Sequence, residues 1–337
     1  MVRSSSSSLG PHPFPQGGLA ESDMKLYIAG IYTSNFKIGG SLYNRLTDGE
    51  KALRHSVSSV LESYHYIGRQ SYVDALRTDK QRVFLDSGAF SAFTKGVEVD
   101  LPAYCEYVKR NIDIIEHVDG IPLASVLDGI GDPLKTWQNQ QAMERLGVRP
   151  LPCFHYGEDE RYLEWYLANY DYITLGGMVP ISTKDLLIWL DRIWDKYLTD
   201  GAGRPRIRVH GFGLTAYVLM QRYPWFSVDS SSWVQQAANG NIVLTDYRIG
   251  SVIYLPVSDK SPTRRQDGRH IDTMTEIERG LLWEHAKKSG SDIERLKAEY
   301  VSRWCYNIAS YDKLGKILTD LTKTFKADQQ DLFQGLL

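Results

Sequence analysis

Three aspartates stand where apolar runs of this chain end, each beside glycine or serine. The segments are Asp86-Ser87-Gly88-Ala89-Phe90, Asp128-Gly129 and Asp229-Ser230-Ser231-Ser232. Two carboxylates flanking an anomeric carbon are the residue set that exchanges a glycosidic bond with retention. One attacks C1′ and forms a covalent intermediate, while the other protonates the leaving group and later deprotonates the incoming one. A lone Asp after a strand serves equally well as a helix cap or turn residue. Three of them at one rim point instead to a site. Further segments of the same style follow other apolar runs: His155-Tyr156-Gly157, Gly176-Gly177-Met178 and His210-Gly211-Phe212-Gly213. Glycines there let a flat ligand approach the backbone closely.

The elements that must position these residues alternate along the chain. Strand-like runs occupy Lys25–Ile31, Arg82–Leu85, Leu123–Leu127, Arg149–Phe154, Tyr172–Leu175, Arg206–Val209 and Phe226–Val228. They are apolar on both sides of the pleat, the mark of parallel strands buried on both faces. Amphipathic segments lie between them at Leu101–Ile115, Asp132–Leu146, Asp159–Ala168 and Thr183–Tyr197. Asp132-Pro133 is a helix start, a capping acid followed by proline at the first helical position. Repeated strand and helix predict a parallel sheet. A length of 337 residues favours closing it into a (β/α)₈ (TIM) barrel of the α/β class, whose chemistry sits where strands end. The expected organisation is a leader over residues 1–23, a barrel over 24–270 and a helical segment over 271–337 packed on its outside. Asp246 to Leu255 is expected to form a further strand pair. The leader is rich in Ser, Pro and Gly, lacks the apolar core of a signal peptide and reads as disordered or foreign to the natural chain, with Met24 a plausible start. The last dozen residues, around Gln329-Gln330, read as a frayed tail.

A net charge of -2 excludes a basic nucleic-acid coat, so contact with a polyanion must come from local patches. The candidate patch is the stretch holding Lys260, Arg264, Arg265 and Arg269, which is otherwise a solvated loop. Three widely separated cysteines, Cys105, Cys153 and Cys305, form no close pair. That spacing argues against a structural zinc site and a disulfide framework, and fits a reducing cytoplasm. No metal or other cofactor is expected. No apolar run is long enough to span a bilayer, and no membrane partner is expected. Trp233 is open between stacking on a flanking nucleotide and core packing.

The order DSGAF, Asp128, GGM, HGFG and SVDSSSW resembles the tRNA-guanine transglycosylase superfamily, and within it the phage DNA-guanine transglycosylases of the DpdA type. The resemblance covers roughly Tyr27 to Trp233. It implies a general acid/base at Asp86, with Ser87 beside it, and a nucleophile at Asp229. Phe90 and His210 would cover the two faces of the base, and His210 stands where the family has Met. Asp128 would read the guanine edge, His155 stands where the family has Gln, Gly176, Gly177 and Met178 would offer backbone groups to the base, and Gly211 belongs to the segment that closes its other face. Ala89 replaces the second glycine of the family's DSGGF-like motif. The tRNA enzymes carry a cysteine-rich zinc subdomain after the nucleophile, where this chain has only Cys305. The resemblance therefore implies DNA as the polymer and a free 7-deazaguanine, such as 7-cyano-7-deazaguanine, as the incoming base, in the cytoplasm of a host cell if a phage encodes the chain. Exchange on tRNA, a non-catalytic binding subunit and a homodimer stay open.

Overall fold

A computed structural model describes residues 24–32, 36–214, 216–246, 251–321 and 325. The expected leader over residues 1–23 and the tail around Gln329-Gln330 lie outside the described residues. Seven strands form one parallel, curled sheet: β1 (Lys25–Ala29), β2 (Val60–Ser63), β3 (Val83–Asp86), β6 (Cys153–His155), β7 (Tyr172–Gly176), β8 (Arg208–Gly211) and β9 (Ser227–Ser230). Their order across the sheet is β3-β2-β1-β9-β8-β7-β6. Two antiparallel pairs stand apart, β4 (His117–Val118) with β5 (Ile121–Pro122), and β10 (Asn241–Asp246) with β11 (Ser251–Pro256). The second is the expected strand pair, begun earlier in sequence.

Among the described residues the regular count is seven, not the expected eight, because one expected strand is irregular, and one of the seven is not legible in the sequence. β2 is not legible as a strand because Val60-Leu61-Glu62-Ser63 carries an acid in its middle; that acid is buried on the outer face. The expected strand at Leu123–Leu127 does not form a regular ladder. The Leu123 amide donates to Glu116 O and the Ala124 amide turns back on Pro122 O, so neither serves a neighbouring strand. The segment nonetheless lies between the two sheet edges. Leu85 N donates to Leu123 O (2.8 Å) and Ser125 N to Leu85 O (2.9 Å) on one side. On the other, Val126 N donates to Leu151 O (3.0 Å) and Leu151 N to Ala124 O (2.8 Å).

Helices fill the crossovers, and local chemistry sets their starts. Asp100 and Asp132 cap the helices Leu101–Arg110 and Pro133–Arg145, each with proline in the first turn. Ser182 caps Thr183–Ile193, and Thr47/Glu50 and Thr275/Glu278 form capping boxes on Asp48–His55 and Glu276–Lys288. Inside the curl, Tyr27, Leu61, Phe84, Leu123, Leu151 and Tyr172 make one apolar layer, each from a different strand or bridging segment. That layer is a floor, and polar inward residues begin above it. A separate small core joins Ile242 and Leu255 of the β10–β11 pair to Ala286, Ile293, Leu296 and Tyr306 of the last helices. This pair therefore packs with the C-terminal helices, and the boundary expected at residue 270 cuts through one packed unit. The helix Tyr300–Leu321 ties that unit to the sheet, with Leu26 pressed so close to Gly315 that a Cβ there would meet it at 2.9 Å.

Candidate active site

Inward residues alternate along the strands, so the next inward position above the apolar floor lies at the rim, as the two-residue period of a strand requires. Phe84 is followed by Asp86, and Ser227 by Asp229. Asp86 ends β3, and the chain must then turn sharply. Gly88 makes that turn at φ +76°, and a Cβ at this position would meet Ser63 Oγ at 2.3 Å and His65 Cβ at 2.5 Å. The glycine of the DSGAF segment is thus a packing necessity. Its amide donates to Asp86 Oδ2 (3.0 Å), while Ser125 Oγ lies 3.4 Å from Oδ1. Ser125 Oγ also accepts from the Ser87 amide (2.8 Å), locking the turn to the bridging segment. Burial first, and then the neighbouring carboxylates of Asp128 and Asp229, push the Asp86 carboxyl up to about 7.

Asp229 is buried, and its contacts go to one oxygen. The Gly213 amide donates to Oδ1 (2.8 Å), and His210 Nε2 lies 3.4 Å from the same atom without hydrogen-bond alignment. Among the described residues no hydrogen bond reaches Oδ2. His210 Nδ1 is 2.8 Å from Ser227 Oγ, which is 2.7 Å from the Tyr172 hydroxyl. Burial pulls the His210 imidazole below its ordinary pKa, against the opposing pull of Asp229, so it is neutral at neutral pH. A neutral ring with its proton on Nε2 accepts from Ser227 and faces Asp229 with a donor; this tautomer is assigned from its partners.

Asp128 completes the carboxylate set. Its Oδ2 lies 3.5 Å from His155 Nε2, and its buried Oδ1 has no partner among the described residues. A cleft of about 820 Å³ opens beside it, lined by Leu127, Asp128, Gly129, Phe93, Val97 and Lys135 among others. That volume is the size of a small-molecule site. His155 is held by Glu158, which accepts from the His155 amide (3.0 Å) and lies 2.9 Å from Nδ1. Burial lowers the His155 pKa, but Cys153 and Asp128 outweigh it and the net direction is up. Burial drives the Cys153 thiol up to about 11.

The remaining sequence candidates divide. Ser87 is buried with its hydroxyl unpartnered among the described residues. Gly176 and Gly177 sit against His155, since a Cβ on Gly177, at φ +68°, would lie 3.1 Å from His155 Cβ; Met178 is buried beside them. Gly211 leaves room for the Trp225 ring, 3.0 Å from where its Cβ would be, so its role is packing. Phe90 and His210, expected to cover the two faces of a base, have different settings. Phe90 is 57% exposed, whereas His210 is fully buried against Phe84 and Phe212, with ring centroids 4.4 and 4.6 Å away. The imidazole points inward from β8, with Nε2 3.4 Å from Asp229 Oδ1. Trp233 likewise packs in the core, stacked on Phe36 and bonded to Ala29 O, which removes the nucleotide-stacking option. Lys260, Arg264, Arg265 and Arg269 are exposed on one loop, but Arg264 is bound to Asp259 and Asp272.

Ser125, Cys153, Glu158, Ser227 and Tyr172 join the site without having been expected from sequence, while Gly213 belongs to a rim segment read there. Two of them carry a signal there: polar Ser125 interrupts an apolar run, and Cys153 and His155 share one face of a strand by the two-residue period. No known protein-family model matches the chain, and no curated protein does. Among the described residues no helix is long and apolar enough to cross a membrane.

Proposed function

We propose that this protein is a base-exchange transglycosylase that replaces guanine in DNA with a free 7-deazaguanine, working at the rim of a (β/α)₈ barrel. In this reading the segment over 123–127 is the strand that completes the barrel between β3 and β6. Asp229 Oδ2 attacks C1′ of the flipped nucleotide as the C1′–N9 bond breaks, giving an aspartyl-deoxyribosyl ester. Asp86, protonated at the start, gives its proton to the departing guanine. The resulting carboxylate takes a proton from the incoming deazaguanine, whose nitrogen attacks C1′ and releases Asp229. Protons and bonds balance, and no oxidant or nucleotide is consumed.

The observation that carries this reading is the contrast between two rim carboxyls. Asp86 is poised near 7, where an acid can both give and take a proton. Asp229 has one oxygen held by the Gly213 amide, with His210 Nε2 3.4 Å from it, which leaves the other to attack. Asp128 at the mouth of the cleft supplies the acceptor for a guanine-type N–H edge. The test incubates the protein with labelled guanine and either duplex DNA or unmodified tRNA under identical low-salt conditions. Label entering DNA supports the proposal; label entering tRNA alone transfers it to RNA; label in neither removes it.

A further inference from the structure

We propose that Asp128, Cys153 and His155 bind a divalent transition-metal ion of the zinc class at the rim. The inference goes beyond base exchange and stands on ligand geometry alone. One donor atom from each residue, a carboxylate oxygen, Sγ and an imidazole nitrogen, can be chosen so that all lie within 4.8 Å of one another. His155 Nε2 is 3.4 Å from Cys153 Sγ and 3.5 Å from Asp128 Oδ2. Tetrahedral zinc with Zn–N of ~2.0–2.1 Å and Zn–S of ~2.3 Å places its ligand atoms about 3.3–3.6 Å apart, so both distances are those of a common centre.

Three further features are those of a built site. Glu158 Oε1 lies 2.9 Å from His155 Nδ1, so a proton on Nδ1 leaves the Nε2 lone pair facing Asp128 and Cys153. This is the carboxylate–histidine–metal arrangement that orients ligating imidazoles. Asp128 Oδ1, buried, has no partner among the described residues. Gly176 stands opposite, and a Cβ there would come within 2.9 Å of Cys153 Sγ and 3.3 Å of His155 Nε2. Only glycine leaves that flank free. Three protein ligands leave a fourth position for water, the ligand count of an open site and not of a closed structural one. Close-spaced cysteines are the usual sequence mark of zinc, and ligands drawn from two separate rim segments leave no such mark. An ion here would occupy Asp128, so metal and base compete for one carboxylate.

The test uses the full chain, stripped with a chelator and titrated with cobalt(II) and zinc in the absence of base and nucleic acid, so it is read independently of exchange activity. One cobalt per chain is expected, with a thiolate-to-cobalt charge-transfer band. Cys153→Ser should abolish that band, while Cys105→Ser and Cys305→Ser keep it. Glu158→Gln should weaken binding ~10–100-fold, as loss of a ligand-orienting carboxylate does elsewhere. Because Cys153→Ser could fail to fold, alkylation of the wild-type chain is mapped in parallel, and zinc should protect Cys153 selectively. The absence of bound cobalt, cobalt bound without the band, a band that survives in folded Cys153→Ser, or equal alkylation of Cys153 with and without zinc would each overturn the proposal.

Discussion

Two groups of carboxyls are buried in this sheet, on opposite faces, and they are kept in different company. On the inner face Asp86, Asp128 and Asp229 meet at the rim, and among the described residues no Lys or Arg forms an ion pair with any of them. On the outer face Glu62 and Asp79 lie with Arg54 and Tyr32. Arg54 Nη1 is 3.0 Å from Asp79, its guanidinium stacks 4.7 Å above the Tyr32 ring, and the Tyr32 hydroxyl donates to Asp79. The Tyr32 amide donates to Glu62 Oε1 at 2.6 Å. Burial pushes Glu62 up to about 8, although the Tyr32 amide and Arg54 pull it down. A raised carboxyl is therefore no mark of catalysis by itself, since both faces have one. What separates them is access and partnership. Glu62 is enclosed and bonded by the Tyr32 amide, whereas Asp86 is partly exposed at the rim with two other acids as neighbours.

The largest effects expected from this contrast are on the inner face. Asp229→Asn removes the nucleophile with little change of shape, and exchange should vanish in the labelled-guanine assay. Asp86→Asn removes the proton carrier and should slow exchange ~10²–10⁴-fold. Glu62→Gln, at a carboxyl also raised by burial, should leave the rate within a few-fold of wild type. A Glu62→Gln loss as large as that of Asp86→Asn would erase the distinction between the two faces.

Stability should move in the opposite sense. Arg54→Met strips the outer acids of their cation, and breaking such a buried pair costs about 3–5 kcal/mol. Asp86 has a folded pKa of about 7, above its unfolded value. Between about pH 4 and 7 the native state holds a proton that the unfolded chain has released, so stability falls as pH rises through that window. Above pH 7 the loss is complete, at roughly 4 kcal/mol from three pKa units of about 1.36 kcal/mol each. Asp86→Asn escapes it. In denaturant titrations the variant should match wild type near pH 4 and exceed it increasingly up to pH 8. A constant difference across that range would place the Asp86 carboxyl at an ordinary pKa and take away its acid/base role.

How far the sequence reveals this arrangement follows from which physical signal each part carries. β3, β7 and β9 are short apolar runs that end in Asp or Gly, and their positions are legible to within a residue or two. β2 is hidden because Glu62 breaks the apolar pattern, and the groups that ease its burial, the Ile31 and Tyr32 amides and the Arg54 charge, come from other elements. The β4–β5 turn at Asp119-Gly120, both at positive φ, carries a tight-turn signal that its very short strands do not reinforce. The three aspartates are legible because each follows an apolar run. What surrounds them is not, because Ser125, Glu158 and Gly213 act through contacts made across strands. His210 shows a related limit: a motif fixes where a residue stands along a strand, but side-chain direction follows from the packing beneath it.

The smallest effect concerns the loop expected to touch phosphates. Of its four cations, Arg264 donates to Asp272 at 2.8 Å and pairs with Asp259 at 3.1 Å, and Lys297 bonds the same Asp272 at 2.9 Å. Arg264 is thus spent within the C-terminal unit, holding the loop against the helix Ile293–Ala298. Lys260, Arg265 and Arg269 are exposed, and among the described residues their side chains form no ion pair. If the loop tracks a DNA backbone, these three meet the phosphates and Arg264 does not. Every phosphate that goes unneutralised flattens the plot of log affinity against log salt by ~0.7–0.9, so replacing the three with Gln should lower the slope by about 2–3. Arg264→Gln alone should leave the slope nearly unchanged and act through loop stability instead. Fluorescence anisotropy on labelled duplex DNA across a salt series reads both. An Arg264→Gln slope change as large as that of any of the other three would show that its carboxylate partners release it on binding, and that all four cations face the phosphates together.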